Sequence, residues 1–324
     1  FWTVLGSNNG DSEISTCNDL ITATFVWDYN STDTLDYSYM FNAMCNYPPA
    51  MGTTILCGKA YSYNNSALFE KVLESAVTLC REYTLYPVTV DDFLAQLANA
   101  TEYFQPLSDI ANISEPLYYP TLPDLEAGEP ELIGYLKYYY NLDSGTWFSV
   151  GVCAYFLLVI VLGAIYNFIR VSGMLKTFGK LKIVKLFQTY IIFPTLIPNG
   201  KYAQEYGWNW FSILFPNRIQ FLVDLFLFVL QVAFYCAPYY QHEGAVFATP
   251  EIALQRGLSD RTGIMAFGKI PLLILFAGRN NFLLYITGWS YTTFLHFHKI
   301  LALWMTVDTL IHSVGYTIME LGYY

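Results

Sequence analysis

Residues Trp147 to Ile169 form a run of 23 without one charged side chain. At ~1.5 Å of rise per residue, such a run spans the ~30 Å hydrocarbon core of a bilayer as one helix. That requirement sets the class before any other feature is weighed: an α-helical membrane protein. Tyr138, Tyr139, Tyr140, Trp147 and Phe148 cluster at the start of the run, as an aromatic belt at the outer interface does. Arg170, Lys176, Lys180, Lys182 and Lys185 follow with no acid among them. Basic loops stay on the cytoplasmic side, so the chain before Trp147 is expected to face outward.

The composition of residues 1–146 agrees with that orientation. They hold nineteen acids and four bases, against seven and twelve in the remainder. An acidic head on a mildly basic body offers no patch for nucleic acid. The whole chain, 54% hydrophobic and 13% charged, has a membrane protein's balance. All four Asn-x-Ser/Thr sequons, at Asn30, Asn64, Asn99 and Asn112, precede Trp147; they are glycosylation candidates of an extracellular domain. Cys17, Cys45, Cys57 and Cys80 lie in the same region. In an oxidising compartment they predict two disulfides, with three connectivities open. The chain opens on Phe1 and shows no signal peptide, as expected of a processed or partial segment.

Within this small, mainly helical head, Ser66 to Glu82 has helical spacing, with Leu68, Val72, Ala76 and Leu79-Cys80 on one side. Thr89 with Asp92 reads as the capping start of a second helix running to about Tyr103. Pro106, Pro116, Pro120, Pro123 and Pro130 predict extended linker from Gln105 to Pro130. The head is expected to be a solvated, glycosylated cap; concentrating cations by its field is the alternative.

Beyond the first span, 147–169, a basic cytoplasmic loop is expected over 170–217. It includes an apolar, interfacial piece (183–200) broken by Pro194 and Pro198. A second span covers 218–238, an outer loop 239–261, a third span 262–278, an inner loop 279–293 and a fourth span 294–318. Asp224 lies inside the second span and is expected to cap or pair. Lys269 lies inside the third and is expected to snorkel. His242, in the outer loop, is read as solvated, with contact to an incoming metal as the lesser alternative.

The fourth span holds His298 and His312, fourteen residues apart. That separation is ~21 Å of helix and nearly four whole turns. The two imidazoles therefore share a side, one near the inner and one near the outer membrane face. Ionisable groups at such depth are functional candidates, and neutral imidazole is an axial ligand of haem iron. His296 points elsewhere and is read as an interface residue. Asp308 projects ~40° round the helix from His312 and needs a partner.

Around this pair stand Arg261-Thr262-Gly263, Pro271-Leu272-Leu273, Ala277-Gly278-Arg279-Asn280-Asn281, Thr287-Gly288, Thr293-Phe294, Phe297-His298-Lys299, Ile311-His312 and Tyr316-Thr317. The block resembles the ferric reductase transmembrane domain of fungal plasma-membrane metalloreductases, which is related to the NADPH oxidases. The close match covers roughly the last sixty residues. It departs from the family at Lys269, where an uncharged polar residue is common.

The resemblance implies a four-helix haem bundle in the plasma membrane, with two stacked bis-histidine haem b groups. His298 would be the inner ligand and His312 the outer. Arg261 would lie near the outer haem propionates, Arg279 near the inner ones, and Tyr316 beside the site where an extracellular ferric or cupric chelate is reduced. Electrons would come from cytosolic NADPH through FAD. In the family, a second histidine pair follows downstream with the FAD and NADPH segments. The sequence to Tyr324 contains neither, and no glycine-rich dinucleotide loop. The chain is therefore expected to be the N-terminal part of such a reductase, completed by a C-terminal half or a partner chain. The alternatives are a superoxide-generating oxidase of the same superfamily and a haem-free assembly or regulatory subunit.

Overall fold

A computed structural model describes residues 10–29, 35, 38–110, 112–175, 179–192, 205–208, 211–214, 216–239 and 249–323. Asn30, Lys176, Pro194, Pro198 and His242, singled out above, lie outside the described residues. The chain forms two compact units. One comprises Phe1–Tyr140 with Tyr240–Leu254; the other comprises Asn141–Tyr239 with Gln255–Tyr324.

The first unit contains α1 (Asp11–Thr24), β1 (Val26–Trp27), α2 (Ser38–Asn46), α3 (Pro48–Tyr61), α4 (Ser66–Tyr83), α5 (Val90–Glu102) and β2 (Pro116–Leu117). Helical spacing puts Ile14, Cys17 and Ile21 of α1 on one buried face, and Val72, Ala76 and Cys80 of α4 on another. Fully buried Ile14, Ile55 and Phe93 each contribute about 1.5–3 kcal/mol through burial. Two disulfides bind the helices together: Cys17–Cys57 joins α1 to α3, and Cys45–Cys80 joins α2 to α4. β1 and β2 form a two-residue parallel pair, Val26 opposite Pro116 and Trp27 opposite Leu117.

Local chemistry sets the boundaries. Gly10 precedes α1 with φ 80°, and a Cβ there would strike the backbone of Val72; only glycine fits both demands. The Asn65 side chain accepts from the amides of Ala67 and Leu68 at the start of α4. The reciprocal box expected at α5 is present, with the Thr89 amide donating to Asp92 Oδ2 at 2.8 Å and the Asp92 amide to Thr89 Oγ1 at 3.3 Å. The Thr89 hydroxyl, which donates to Asp92 Oδ2 at 2.6 Å, and then the Thr89 amide hold the Asp92 carboxyl below its usual pKa.

α6 (Leu125–Val171) begins well before Trp147 and contains Pro130. The expected linker is thus helical from Leu125 onward. The reason is positional: the amide missing from Pro130 would have bonded the carbonyl of Glu126, an exposed residue that water satisfies.

The second unit contains residues 141–171 of α6 and then α7 (Lys182–Phe187), β3 (Glu205–Trp208) and β4 (Phe211–Leu214). α8 (Arg218–Cys236) follows. The rest is residues 255–268 of α9 (Pro250–Gly268), then α10 (Ile270–Ala277), α11 (Leu283–Thr287) and α12 (Tyr291–Tyr323). β3 and β4 pair antiparallel, Glu205 opposite Leu214 and Trp208 opposite Phe211. Asn217 and Gln220 form a capping box at the start of α8.

The core of this unit is aromatic and aliphatic: Phe156, Leu227, Phe276, Phe294, Phe297 and Leu301 are all buried. The Phe156 ring lies edge-on to Phe276 at 5.4 Å and to Phe297 at 5.7 Å. The outward faces are apolar too, with Leu157, Phe168, Phe226, Leu303 and Val314 exposed. Helices apolar all round, polar only at chosen inner positions, suit lipid rather than water.

Among the described residues, three helices are long and apolar enough to cross a membrane: Leu125–Val171, Arg218–Cys236 and Tyr291–Leu321. The chain is a multi-pass membrane protein. The stretch expected as the third span, 262–278, is divided between α9 and α10. Lys269 interrupts the helix, and Pro271 follows within the first turn of α10. Proline cannot donate to the carbonyl four residues back and clashes with it, so the chain rewinds at that point.

Candidate functional site

α12 presents His298 and His312 from one continuous helix. His298 Nδ1 lies 2.9 Å from the Leu273 carbonyl oxygen on α10. His312 Nδ1 lies 2.8 Å from the Ser259 carbonyl oxygen on α9. A carbonyl only accepts, so each Nδ1 is the protonated nitrogen and each Nε2 carries the lone pair. A metal-binding imidazole is oriented in this way by its outer hydrogen bond.

Gly263 explains the approach of α9 to His312. A Cβ at this position would lie 2.6 Å from His312 Nδ1 and 2.8 Å from Cε1. Gly263 and His312 also line a cavity of about 520 Å³, together with Ile264, Phe267, Ile270, Met305 and other residues. That size and apolar lining belong to small-molecule and cofactor sites.

Tyr316 sits one turn beyond His312, with ring centroids 4.9 Å apart. Its hydroxyl donates to Asp260 Oδ1. Asp260 Oδ2 also accepts from Arg256 Nε at 3.0 Å, and the Arg256 guanidinium lies 5.0 Å from the Tyr316 ring centroid. Arg256 and Asp260 are four apart on a helix, a spacing readable in the sequence. Their convergence on Tyr316 is not, because it requires α9 and α12 to pack together.

Arg261 is buried at 0% exposure. Its Nη1 donates to the carbonyls of Phe234 and Ala237 at 3.3 and 2.8 Å, and its Nη2 to Pro238 at 3.0 Å. The guanidinium also lies 3.7 Å from the Tyr239 ring centroid. It closes the C-terminal end of α8, where unpaired carbonyls favour a cation. Arg279 is exposed, in the turn between α10 and α11. In that turn Asn281 does the fastening: its Nδ2 donates to the Leu275 carbonyl at 2.6 Å, and its Oδ1 accepts from the Leu283 amide at 3.0 Å.

Three charged groups of the spans find partners. Asp224 Oδ2 lies 2.8 Å from His296 Nε2, so His296 is engaged with α8. Lys269 does not snorkel: with its side chain fully buried, its Nζ lies 2.5 Å from Asp308 Oδ2. It also donates to the Met265 carbonyl at 3.1 Å. The helix break places Lys269 facing α12, where snorkelling to an interface is closed to it. Asp308 Oδ1 accepts from the Tyr235 hydroxyl.

The described sequon asparagines Asn64, Asn99 and Asn112 are all exposed, the placement an acceptor side chain requires. The four cysteines of the first unit are consumed by its two disulfides.

Residues 262–324 match the family model described as ferric reductase like transmembrane component. Ferric reductase transmembrane component 3 of Saccharomyces cerevisiae is 32% identical over 309 residues, 92% of this chain and 42% of the relative. Component 5 of the same yeast is 31% identical over 279 residues, 85% of this chain and 39% of the relative. Ferric/cupric reductase transmembrane component 2 is 30% identical over 301 residues, 90% and 41% of the two chains. No solved structure matches the chain. The chain thus spans about two fifths of the length of these curated relatives. Residues 262–324 thus carry a ferric reductase like transmembrane domain, and most of the chain is similar, at 30–32% identity, to fungal ferric reductase transmembrane components.

Proposed function

We propose that this chain supplies the head and one histidine pair of a transmembrane metalloreductase. In this reading electrons pass from cytosolic NADPH, through FAD, to extracellular ferric or cupric chelates. The observation that carries the proposal is the pair of Nδ1 hydrogen bonds to Ser259 and Leu273, which leave both Nε2 lone pairs available on one helix. His298 would hold the inner haem b and His312 the outer. The apolar cavity beside His312 supports the fit. Haem held by His298 and His312 would supply one-electron transfer.

The chain's own residues orient and insulate. Ser259 and Leu273 fix the ring tautomers, and the Phe156–Phe276–Phe297 core packs at the His298 end of α12. Four crossings would be made by 147–169 of α6, by α8, by α9 with α10, and by α12, in the plasma membrane with the glycosylated head outside. Tyr316, fixed by Asp260, would face the acceptor. Arg261 is assigned the end of α8 and not a propionate, because its guanidinium is engaged by three carbonyls. Exposed Arg279 remains the candidate for the inner propionates. The second axial ligands, FAD and NADPH would come from sequence outside these 324 residues or from a partner chain.

The test is a reduced-minus-oxidised absorption spectrum with haem counted per chain, for the wild type and for His298→Ala and His312→Ala. A low-spin bis-imidazole signature reduced by either substitution is expected. Unchanged haem content in both variants would sink the ligand assignment.

A further inference from the structure

α12 is fastened to α9 and α10 at three levels, and the levels run antiparallel. His298 meets the carbonyl of Leu273, Asp308 meets Lys269, and His312 meets the carbonyl of Ser259. The outer two contacts are the histidine hydrogen bonds themselves. The middle one is an ion pair in the unit's interior, with both side chains at 0% exposure. It sits where the helix rewinds between α9 and α10, and Tyr235 of α8 ties into it through the second oxygen of Asp308. One carboxylate thus joins three elements between the two histidine positions.

A pair of opposite charges buried in lipid is a costly way to hold helices together. Well-packed apolar residues usually do as well. Its location suggests what else it does. Along α12, Asp308 is four residues from His312 and ten from His298, or ~6 Å and ~15 Å of axial rise. Each charge of the pair therefore acts on both positions through a medium of low dielectric, and more strongly on the outer one.

We propose that Lys269, Asp308 and Tyr235 form a positioning and charge-balancing site. It sets the rotational phase of the two histidines and, by pairing the two buried charges, keeps either charge from shifting the potentials of the centres that they hold. The inference rests on the haem reading above. Intact, the pair is nearly neutral, so the centres feel only its dipole. Removing one partner leaves an uncompensated charge much nearer the outer position.

Midpoint potentials of the haem-loaded, full protein, measured by spectroelectrochemistry above neutral pH, test this. Lys269→Met leaves a lone carboxylate and is expected to lower the potentials. Asp308→Asn leaves a lone ammonium and is expected to raise them. In both variants the outer centre should move at least about twice as far as the inner, from the ratio of the distances. The double variant Lys269→Met/Asp308→Asn should return towards wild type. A helix contact without an electrostatic role would give no opposite signs and no recovery. Haem-loaded single variants with unmoved potentials, or potentials that shift together in one direction, overturn the inference and leave the haem reading standing. Absence of haem from the wild type overturns both. If the single variants do not fold, the exchange Lys269→Asp/Asp308→Lys decides. Recovery of folded, haem-loaded protein supports the pairing, and failure of that exchange and of the double variant overturns it.

Discussion

Replacing Gly263 by alanine should reverse the ordinary sign of a glycine substitution in a helix. In an unobstructed helix interior Gly→Ala stabilises by about 1 kcal/mol. At Gly263 the added methyl would stand 2.6 Å from His312 Nδ1, 2.8 Å from Cε1 and 3.2 Å from Cγ. The imidazole has nowhere easy to retreat, because its Nδ1 is bound to Ser259 at 2.8 Å and its face packs on Tyr316 at 4.9 Å. Overpacking of this kind costs about 1–3 kcal/mol, and breaking the Ser259 hydrogen bond about 1 kcal/mol more. Set against the helix gain, the net loss is about 1–3 kcal/mol, several degrees in apparent Tm. Nε2 swings with the ring, so haem bound per chain should fall as well. Thermal unfolding in detergent and haem quantification read the two effects. Gly278→Ala is the control, since its nearest neighbours lie at 3.7 and 3.9 Å and its φ is −67°; it should be nearly neutral. A higher Tm in Gly263→Ala with undiminished haem would refute the packing argument.

Two further outcomes follow from the head. The Cys17–Cys57 and Cys45–Cys80 bridges close loops with sequence separations of 40 and 35, so replacing either pair by alanine should cost about 4 kcal/mol by chain entropy. Limited proteolysis before and after substitution checks it, and unchanged protease resistance would contradict it. The Asp92 carboxyl is held below its usual pKa by Thr89. The capping box therefore stabilises the native head above the unfolded-state pKa, and this contribution is lost as pH falls through the depressed native value. Hydrogen exchange of α5 amides should be faster in Asp92→Asn than in wild type near neutrality, with the difference vanishing in strong acid. A difference that persists in strong acid would contradict the linkage.

Several local features were legible because each depends on a few neighbouring residues. The Thr89/Asp92 box, the helix from Ser66, and the apolar runs ending in Val171, Cys236 and Leu321 all follow from short-range spacing. The two histidines could be placed on one side of a helix for the same reason. Misreadings arose where distant segments intervene. Pro130 looked like linker, yet it sits inside α6 because the one bond it forfeits faces water. Lys269 looked like a snorkelling lysine inside an unbroken span. The rewinding before Pro271 turns it inward, onto a carboxylate 39 residues away. Arg261 reads, by resemblance, as a propionate contact, but its hydrogen bonds go to the end of a helix about 25 residues earlier.

The amino-acid sequence by itself determined that this chain crosses a membrane and that two imidazoles share one face of α12, and it carries the expectation that the acidic head lies opposite the basic loop. Uncharged runs, basic loops and the 3.6-residue repeat act locally, and they need no partner to be read. Tertiary structure alone decided which cysteines pair, which nitrogen of each imidazole is left free, and that Lys269 and Asp308 neutralise each other. Those outcomes depend on hydrogen bonds and charges meeting across helices at distances of about 3 Å. No spacing within one helix specifies the rotation and depth at which its neighbour will stand.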